Sequence, residues 1–114
     1  MAKRGEVLVA RRKLGFGAEG KAEHFVVVQS DQLQNLETVL VAPLDVDDDA
    51  LYAGDPLVVH VSPKEAGAKQ PHVVLVHLLS ATLKDRFEPS HVSKLSAASM
   101  AKVSALLRFA LDVP

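Results

Sequence analysis

The hydrophobic residues of this chain form short β-branched runs separated by polar segments, followed by one helical stripe near the C-terminal end. Short runs rich in valine are typical of β-strands. They predict strands over residues 6–12, 25–29, 38–42, 57–61, 72–78 and 91–95. From residue 97 to 111 the apolar positions recur at helical spacing, and Ser96 is placed to cap that helix.

Proline and polar segments predict where these strands and helices end. Pro43 donates no N–H to a ladder and is expected to end the third strand. Acidic residues 45–49 and polar residues 62–71 are expected to form loops, and short helical turns are expected over 32–35 and 82–85. In the helix, one group should face the core: Met100, Val103, Leu106, Leu107, Ala110 and Leu111. Ser99, Lys102 and Arg108 should face away.

Strands joined by short polar loops, with one helix at the end, favour antiparallel connections over β–α–β units. We therefore predict a mainly β fold with a C-terminal α-helix, in which a small curled sheet or barrel carries the helix. The apolar run at 25–29 should be a central strand covered on both faces. A length of 114 residues predicts a single domain over 1–114.

Composition excludes several classes of protein. An apolar fraction of 48% with 24% charged residues is ordinary for a soluble domain, and no run is long enough to cross a bilayer. The absence of cysteine excludes disulfides and cysteine-based zinc sites. With no signal peptide, we expect a cytoplasmic protein without a membrane partner. The net charge of −1 argues against an extended DNA-binding surface, although the basic N-terminal cluster could hold a short single strand.

The glycine-rich segment 13–24 contains G-x-G-x-x-G and G-x-x-x-x-G-K patterns, which resemble phosphate-binding motifs. Both motifs need a helix after the glycines, so that phosphate meets the helix N-terminus. A valine run follows instead, and Ala22 stands where a P-loop needs Ser or Thr. We therefore expect a surface loop between antiparallel strands and no nucleotide cofactor.

Metal and acyl-transfer chemistry have little support. The five histidines show no H-x-H or H-x-x-x-H spacing, and the acidic segment lacks the Gly and Glu of a calcium loop. There is no G-x-S-x-G elbow. No metal and no cofactor are expected.

Polar residues at the predicted strand ends could carry acid–base chemistry. They are Lys21, Glu23, His24, Asp45, His77 and Ser80. Transesterification of RNA suits this set, because it needs a base, an acid and a cation rather than an obligatory metal. His24 is the candidate acid or base. Asp45 could orient it or act as base, and Lys21, Arg11 or Arg12 could supply the cation. Each residue could equally be an ordinary polar residue of a loop.

Four segments in order resemble the MazF/PemK toxin family. They are the Lys3-Arg-Gly-Glu-Val opening, Phe25-Val-Val-Val-Gln-Ser-Asp, Thr38-Val-Leu-Val-Ala-Pro-Leu, and the final helix preceded by Ser93-Lys-Leu-Ser. The resemblance covers nearly the whole chain. It implies an SH3-like antiparallel β-barrel of the CcdB/MazF type, a homodimer, a metal-independent endoribonuclease for single-stranded RNA such as mRNA, and a cognate antitoxin.

The resemblance also implies site residues. The segment 13–24 resembles the loop over the family's RNA groove, which singles out Lys21 and His24, and Ser80 matches the Ser or Thr that the family has in strand five. Together with Asp45 from the acid–base set, catalysis is assigned to His24, Asp45, Lys21 and Ser80. RNA contacts are assigned to Arg11, Arg12, Lys13 and His77. The chain has Glu23-His24 where the family usually has Arg-Pro, and Asp45 where it usually has Thr or Ser. Either the chemistry has been rebuilt on these residues, or the fold persists as a catalytically silent dimer.

CcdB toxins, which share this fold and poison DNA gyrase, provide the alternative. Segments 25–31, 42–44 and 58–61 resemble theirs. Their helix ends in Trp-Gly-Ile, whereas this chain has no Trp and ends in Leu111-Asp-Val-Pro. The RNase hypothesis therefore leads.

Overall fold

A computed structural model describes residues 2–12 and 22–113 of the chain. Within this part, strands alternate with short helices before one long C-terminal helix. The elements are β1 (Glu6–Val9), β2 (His24–Val27), β3 (Thr38–Val46), α1 (Asp49–Tyr52), β4 (Val58–Val61), α2 (Pro63–Ala66), β5 (His72–Leu75), β6 (Ser80–Leu83), β7 (Ser93–Lys94) and α3 (Ala97–Leu111). No helix in the described ranges is long and apolar enough to cross a bilayer.

All seven strands belong to one antiparallel sheet. Its order is β4-β5-β3-β2-β1-β7, with β6 paired to β3. The path ends at β4 and β7, so the sheet is a half-barrel. The predicted mainly β fold with a C-terminal helix is confirmed. The predicted loop at 13–21 lies outside the described residues.

Alternation along the strands divides the core into two faces. On one face, a cluster including Val7, Val26, Leu44 and Val74 packs with Val103 of α3. On the opposite face, Phe25, Val27 and Val41 pack with Leu8 and Phe87. Every apolar residue of β2 is therefore buried, as expected for a central strand.

Pro43 does not end the third strand, contrary to the prediction; β3 continues to Val46. The Leu40 carbonyl accepts the N–H of Val28, so even-numbered residues of β3 direct their backbone groups toward β2. Pro43 therefore points to the other side, where β3 changes partner from β6 to β5. A proline is tolerated there because no neighbouring strand needs its missing N–H.

The same position explains why the predicted strand 72–78 is too long. β5 stops at Leu75, and a 3₁₀ helix over Val76–Leu78 spans the gap beside Pro43 before β6 resumes pairing with β3. Thr82 consequently lies in a strand and does not start a turn. The gap beside Pro43 thus separates Ser80 from the residues of β5.

The two predicted loops differ from the structure: Asp45 and Val46 of the acidic segment belong to β3 and α1 begins at its last residue, Asp49, while α2 lies within the predicted loop 62–71. Asp48 caps α1 by accepting from the N–H of Ala50, and Ser62 caps α2 by accepting from the N–H of Glu65. The last predicted strand is shorter than expected, covering only Ser93–Lys94. These differences follow from capping side chains, which compete with extended backbone.

The C-terminal helix has the predicted bounds and the predicted Ser96 cap. Met100, Val103, Leu106 and Leu107 contact the core as expected. The predicted orientation of Ser99 was wrong, because this residue is buried and hydrogen-bonded to Glu65 of α2. Ala110 and Leu111, expected to face the core, are exposed, so the prediction was wrong for these two residues.

Candidate functional site

An open cleft of about 420 Å³ lies where β2, β3 and β5 meet the segment that follows α2. Its lining combines imidazoles, carboxylates, a cation and an amide with small apolar side chains. The residues are Ala22, Glu23, His24, Leu44, Asp45, Val46, Ala68, Lys69, Gln70 and His72. This is the place where the structure brings predicted site residues together.

His24 is the first residue of β2 and lies opposite Val9 of β1 and Leu44 of β3. Its pKa lies below the ordinary value of 6.5. Burial is the largest cause, and the nearby His72 adds to it; Glu23 and a backbone hydrogen bond to Gly67 act in the opposite direction. The neutral imidazole is therefore favoured at neutral pH, a state suited to accepting a proton.

His72 is the functional candidate that the sequence did not identify. It is only 8% exposed, and its ring centroid lies 5.8 Å from that of His24, with the planes tilted by 59°. Its Nδ1 donates to the Gln70 carbonyl oxygen at 2.8 Å. The sequence shows His72 beginning a valine-rich strand, but it does not show that this strand lies two strands away from His24.

Asp45 borders the cleft, but its carboxylate is not directed at His24. Leu44 lies opposite His24, so the next residue along β3 faces the other side of the sheet. There the Asp45 carboxylate accepts a hydrogen bond of 2.5 Å from the Tyr52 hydroxyl. Burial and this interaction raise the pKa of Tyr52. Asp45 therefore does not orient His24 by direct contact, which was one of the two roles that the sequence suggested for it.

Ser80 and His77, two of the site residues predicted from the sequence, do not line this cleft. Ser80 lies opposite Val41, four residues from Asp45 along β3, which corresponds to about 13 Å. His77 is exposed on the 3₁₀ helix that packs against α3. Both are displaced because β5 ends before Val76, at the gap beside Pro43.

Cationic side chains lie in the cleft and beyond the end of β1, the strand paired with β2. The Ala10 N–H donates to the Glu23 carbonyl, so the exposed Arg11 and Arg12 follow directly beyond the end of β1. Arg11 Nε donates to the Phe87 carbonyl at 3.0 Å, which anchors that guanidinium. Lys69, in the segment that follows α2, lines the cleft itself, and the sequence had not identified it as a site residue. Lys13 and Lys21 lie outside the described residues.

A second cleft of about 430 Å³ lies between β1 and the segment preceding β7, and includes Glu6, Leu8, Lys84, Phe87 and His91. His91 Nδ1 lies 3.2 Å from Glu6 Oε2, and Glu6 Oε1 accepts from the Lys3 N–H at 2.8 Å. Because its only imidazole already has a carboxylate partner, this cleft offers less for catalysis than the one containing His24 and His72.

Within residues 2–12 and 22–113, no group of three or more His, Asp or Glu side chains is arranged to hold a metal ion. The chemistry available in the described cleft is therefore that of two imidazoles, a lysine and the neighbouring carboxylates. These groups can exchange protons and neutralise a phosphate.

Solved structures with the same fold extend over almost the entire chain. An endoribonuclease in complex with its cognate antitoxin, from Mycobacterial species, matches with a TM-score of 0.74 and 20% identity, covering 100% of this chain and 98% of that one. The Mycobacterium tuberculosis toxin MazF-mt6 matches at 0.73 and 18%, covering 96% and 98%. A chain of the MazE-MazF crystal structure (Form-III) from Deinococcus radiodurans matches at 0.70 and 16%, covering 98% and 97%. At these identities the likeness establishes the fold.

A comparison with curated protein sequences gives no match. The sequence profile of one family does match, over residues 3–111, and that family is described as the PemK-like, MazF-like toxin of type II toxin–antitoxin systems. The match includes all seven strands and α3, in agreement with the structural comparison. The chain therefore belongs to the PemK/MazF toxin family of type II toxin–antitoxin systems.

Proposed function

We propose that this chain is a toxin that cleaves single-stranded RNA, including mRNA, in the cytoplasm. The observation that carries the proposal is His24, a half-buried imidazole with a lowered pKa, in a cleft that is also lined by His72 and Lys69. Cleavage by transesterification needs a proton acceptor, a proton donor and a cation near the phosphate. The described residues of the cleft offer a candidate for each of these.

The phosphate backbone of RNA would enter between the end of β1 and the segment after α2. Arg11 and Arg12 would bind it on one side and Lys69 on the other, since cations flanking a groove attract single strands. Lys13 and Lys21 are proposed to contribute from the adjoining segment. Asp45 is proposed to hold its part of β3 in place through its hydrogen bond to Tyr52. Ser80 and His77 lie outside the cleft, and any contact they make would be with RNA that extends beyond it.

A purified-protein assay on mixed-sequence RNA in EDTA tests the activity. The wild-type protein should cleave, and His24→Ala should lower the rate by at least about 100-fold, the range for loss of a general acid or base. His60→Ala is the matched control, because His60 is exposed and paired with Asp47 outside the cleft. No cleavage by the wild-type protein, or equal loss in both variants, would contradict the proposal.

The proposed partners are a second copy of the chain and a cognate antitoxin, as in the solved relative described with its antitoxin. Expression should arrest growth, and co-expression of a small acidic protein from the adjacent reading frame should restore it. Light scattering should give the mass of a dimer. If growth stops, RNA is not cleaved and DNA gyrase no longer supercoils DNA in the presence of the protein, the alternative of a gyrase poison is supported instead.

A further inference from the structure

The two imidazoles of the cleft occupy neighbouring positions on one face of the sheet. His24 lies opposite Leu44 and His72 lies opposite Val46, so both project on the face shared by these alternate residues of β3. Their ring centroids are 5.8 Å apart. The register of three strands thus fixes both rings within reach of one phosphodiester.

Backbone groups of one segment, residues 67–70, orient both rings. The Gln70 carbonyl accepts from His72 Nδ1, and His24 is hydrogen-bonded to the backbone of Gly67. A carbonyl oxygen can only accept, so Nδ1 of His72 carries a proton in every charge state of the ring. Nε2 is consequently the nitrogen of His72 that gains or loses a proton.

The two rings also influence each other electrostatically. Burial and the proximity of His72 both lower the pKa of His24, while Glu23 raises it. Among residues 2–12 and 22–113, the other charged groups that border the cleft are Asp45 on β3, which is bonded to Tyr52, and Lys69 after α2. Two neighbouring imidazoliums repel, so protonation of one ring opposes protonation of the other.

We propose that His24 and His72 form an acid–base pair, with His24 as the base and His72 as the acid of RNA transesterification. This inference rests on the proposed RNase function. It adds a catalytic residue, His72, and assigns one direction of proton transfer across the cleft.

The step balances without a co-reactant. Neutral His24 removes the proton of the 2′-hydroxyl, and the 2′-oxygen forms a bond to phosphorus. The bond from phosphorus to the 5′-oxygen breaks, and Nε2 of the His72 imidazolium donates the proton that this oxygen needs. The products are a 2′,3′-cyclic phosphate and a 5′-hydroxyl end. Lys69 stabilises the charge that develops on the phosphorane oxygens.

His72→Asn provides a structure-preserving variant. The Asn side-chain N–H₂ can replace Nδ1 as donor to the Gln70 carbonyl, whereas Nε2 is lost. Because His72 is buried, His72→Ala alone could simply unfold the protein; thermal melting by circular dichroism checks that the Asn variant is folded. His60→Asn is the matched control, with an expected rate within about 2-fold of wild type.

The decisive assay compares ordinary RNA with RNA in which sulfur replaces the 5′-oxygen at one cleavage site. A thiolate leaves without a proton, so it needs no general acid. On ordinary RNA, His24→Ala and His72→Asn should each lose at least about 100-fold in kcat. On the 5′-thio substrate, His72→Asn should recover to within about 10-fold of wild type, whereas His24→Ala should not.

The pH profile of kcat/KM supplies a second readout. Wild type should lose activity as acid protonates His24, which must be neutral to act as the base; His24→Ala should lack this acidic limb, whereas His72→Asn should keep it. A folded His72→Asn variant with near-wild-type activity, or rescue of His24→Ala instead, would overturn the pair while leaving the RNase function intact. A wild-type protein inactive on both substrates would refute the RNase function itself.

Discussion

Glu65 of α2 connects this short helix to the start of α3 through hydrogen bonds. Its negative charge should make the fold less stable as the pH falls into the acid range. Its Oε1 accepts from the Ser96 N–H at 2.9 Å and from Ser99 Oγ at 2.7 Å. Burial raises the pKa of Glu65, but the hydrogen bonds from Ser96, Ser99 and Ser62 outweigh it and bring the pKa to about 2. The carboxylate thus caps the N-terminus of α3, where negative charge is favourable.

The size of the effect follows from linkage. The unfolded carboxyl titrates near 4.5 and the folded one at about 2. Stabilisation is therefore fully present above pH 4.5 and is lost as pH falls toward 2. A difference of about 2.5 pH units corresponds to about 3 kcal/mol at about 1.4 kcal/mol per unit. Because Glu65 is partly exposed, solvent screening reduces the expected contribution to about 1–2 kcal/mol.

Glu65→Gln keeps the shape and one acceptor oxygen but removes the charge. Urea unfolding followed by circular dichroism should show the variant about 1–2 kcal/mol less stable than wild type at pH 7, with the gap closing by pH 2. Glu37→Gln, at an exposed position, controls for removal of a negative charge as such. A gap that is absent at pH 7, or that stays constant from pH 7 to pH 2, would refute the assignment of Glu65 as a charged cap.

Two further predictions concern the surroundings of the cleft. Gly67 and Gly54 both have positive φ, but a Cβ on Gly67 would lie 2.7 Å from Val92 Cγ2, whereas Gly54 has nothing within 4 Å. In thermal melts Gly54→Ala should cost about 1 kcal/mol for strain alone and Gly67→Ala about 2–3 kcal/mol; equal costs would contradict the predicted clash. Tyr52 is the single tyrosine, so its absorbance reports one group. It should ionise well above pH 10, because burial and Asp45 raise its pKa, and Asp45→Asn should lower the midpoint; an unchanged midpoint would contradict the hydrogen bond.

Local sequence was enough where a single element decides its own structure. The Ser96 cap and the spacing of Met100, Val103 and Leu107 predicted α3 correctly, because capping and amphipathic burial depend on residues one or two turns apart. The valines of β2 likewise predicted a buried central strand. Features that depend on how two strands pair were predicted less well. Pro43 is compatible with β3 only because β5 and β6 leave a gap beside it.

The sequence by itself determined the strand-rich order, the closing helix, the family resemblance and the candidacy of His24. Only the tertiary structure decided which side chains share the cleft. Strand register places His72 beside His24 and turns Asp45 to the opposite face, and a shift of one residue would reverse both results. Register depends on contacts between segments far apart in the chain, and no local pattern of residues specifies it.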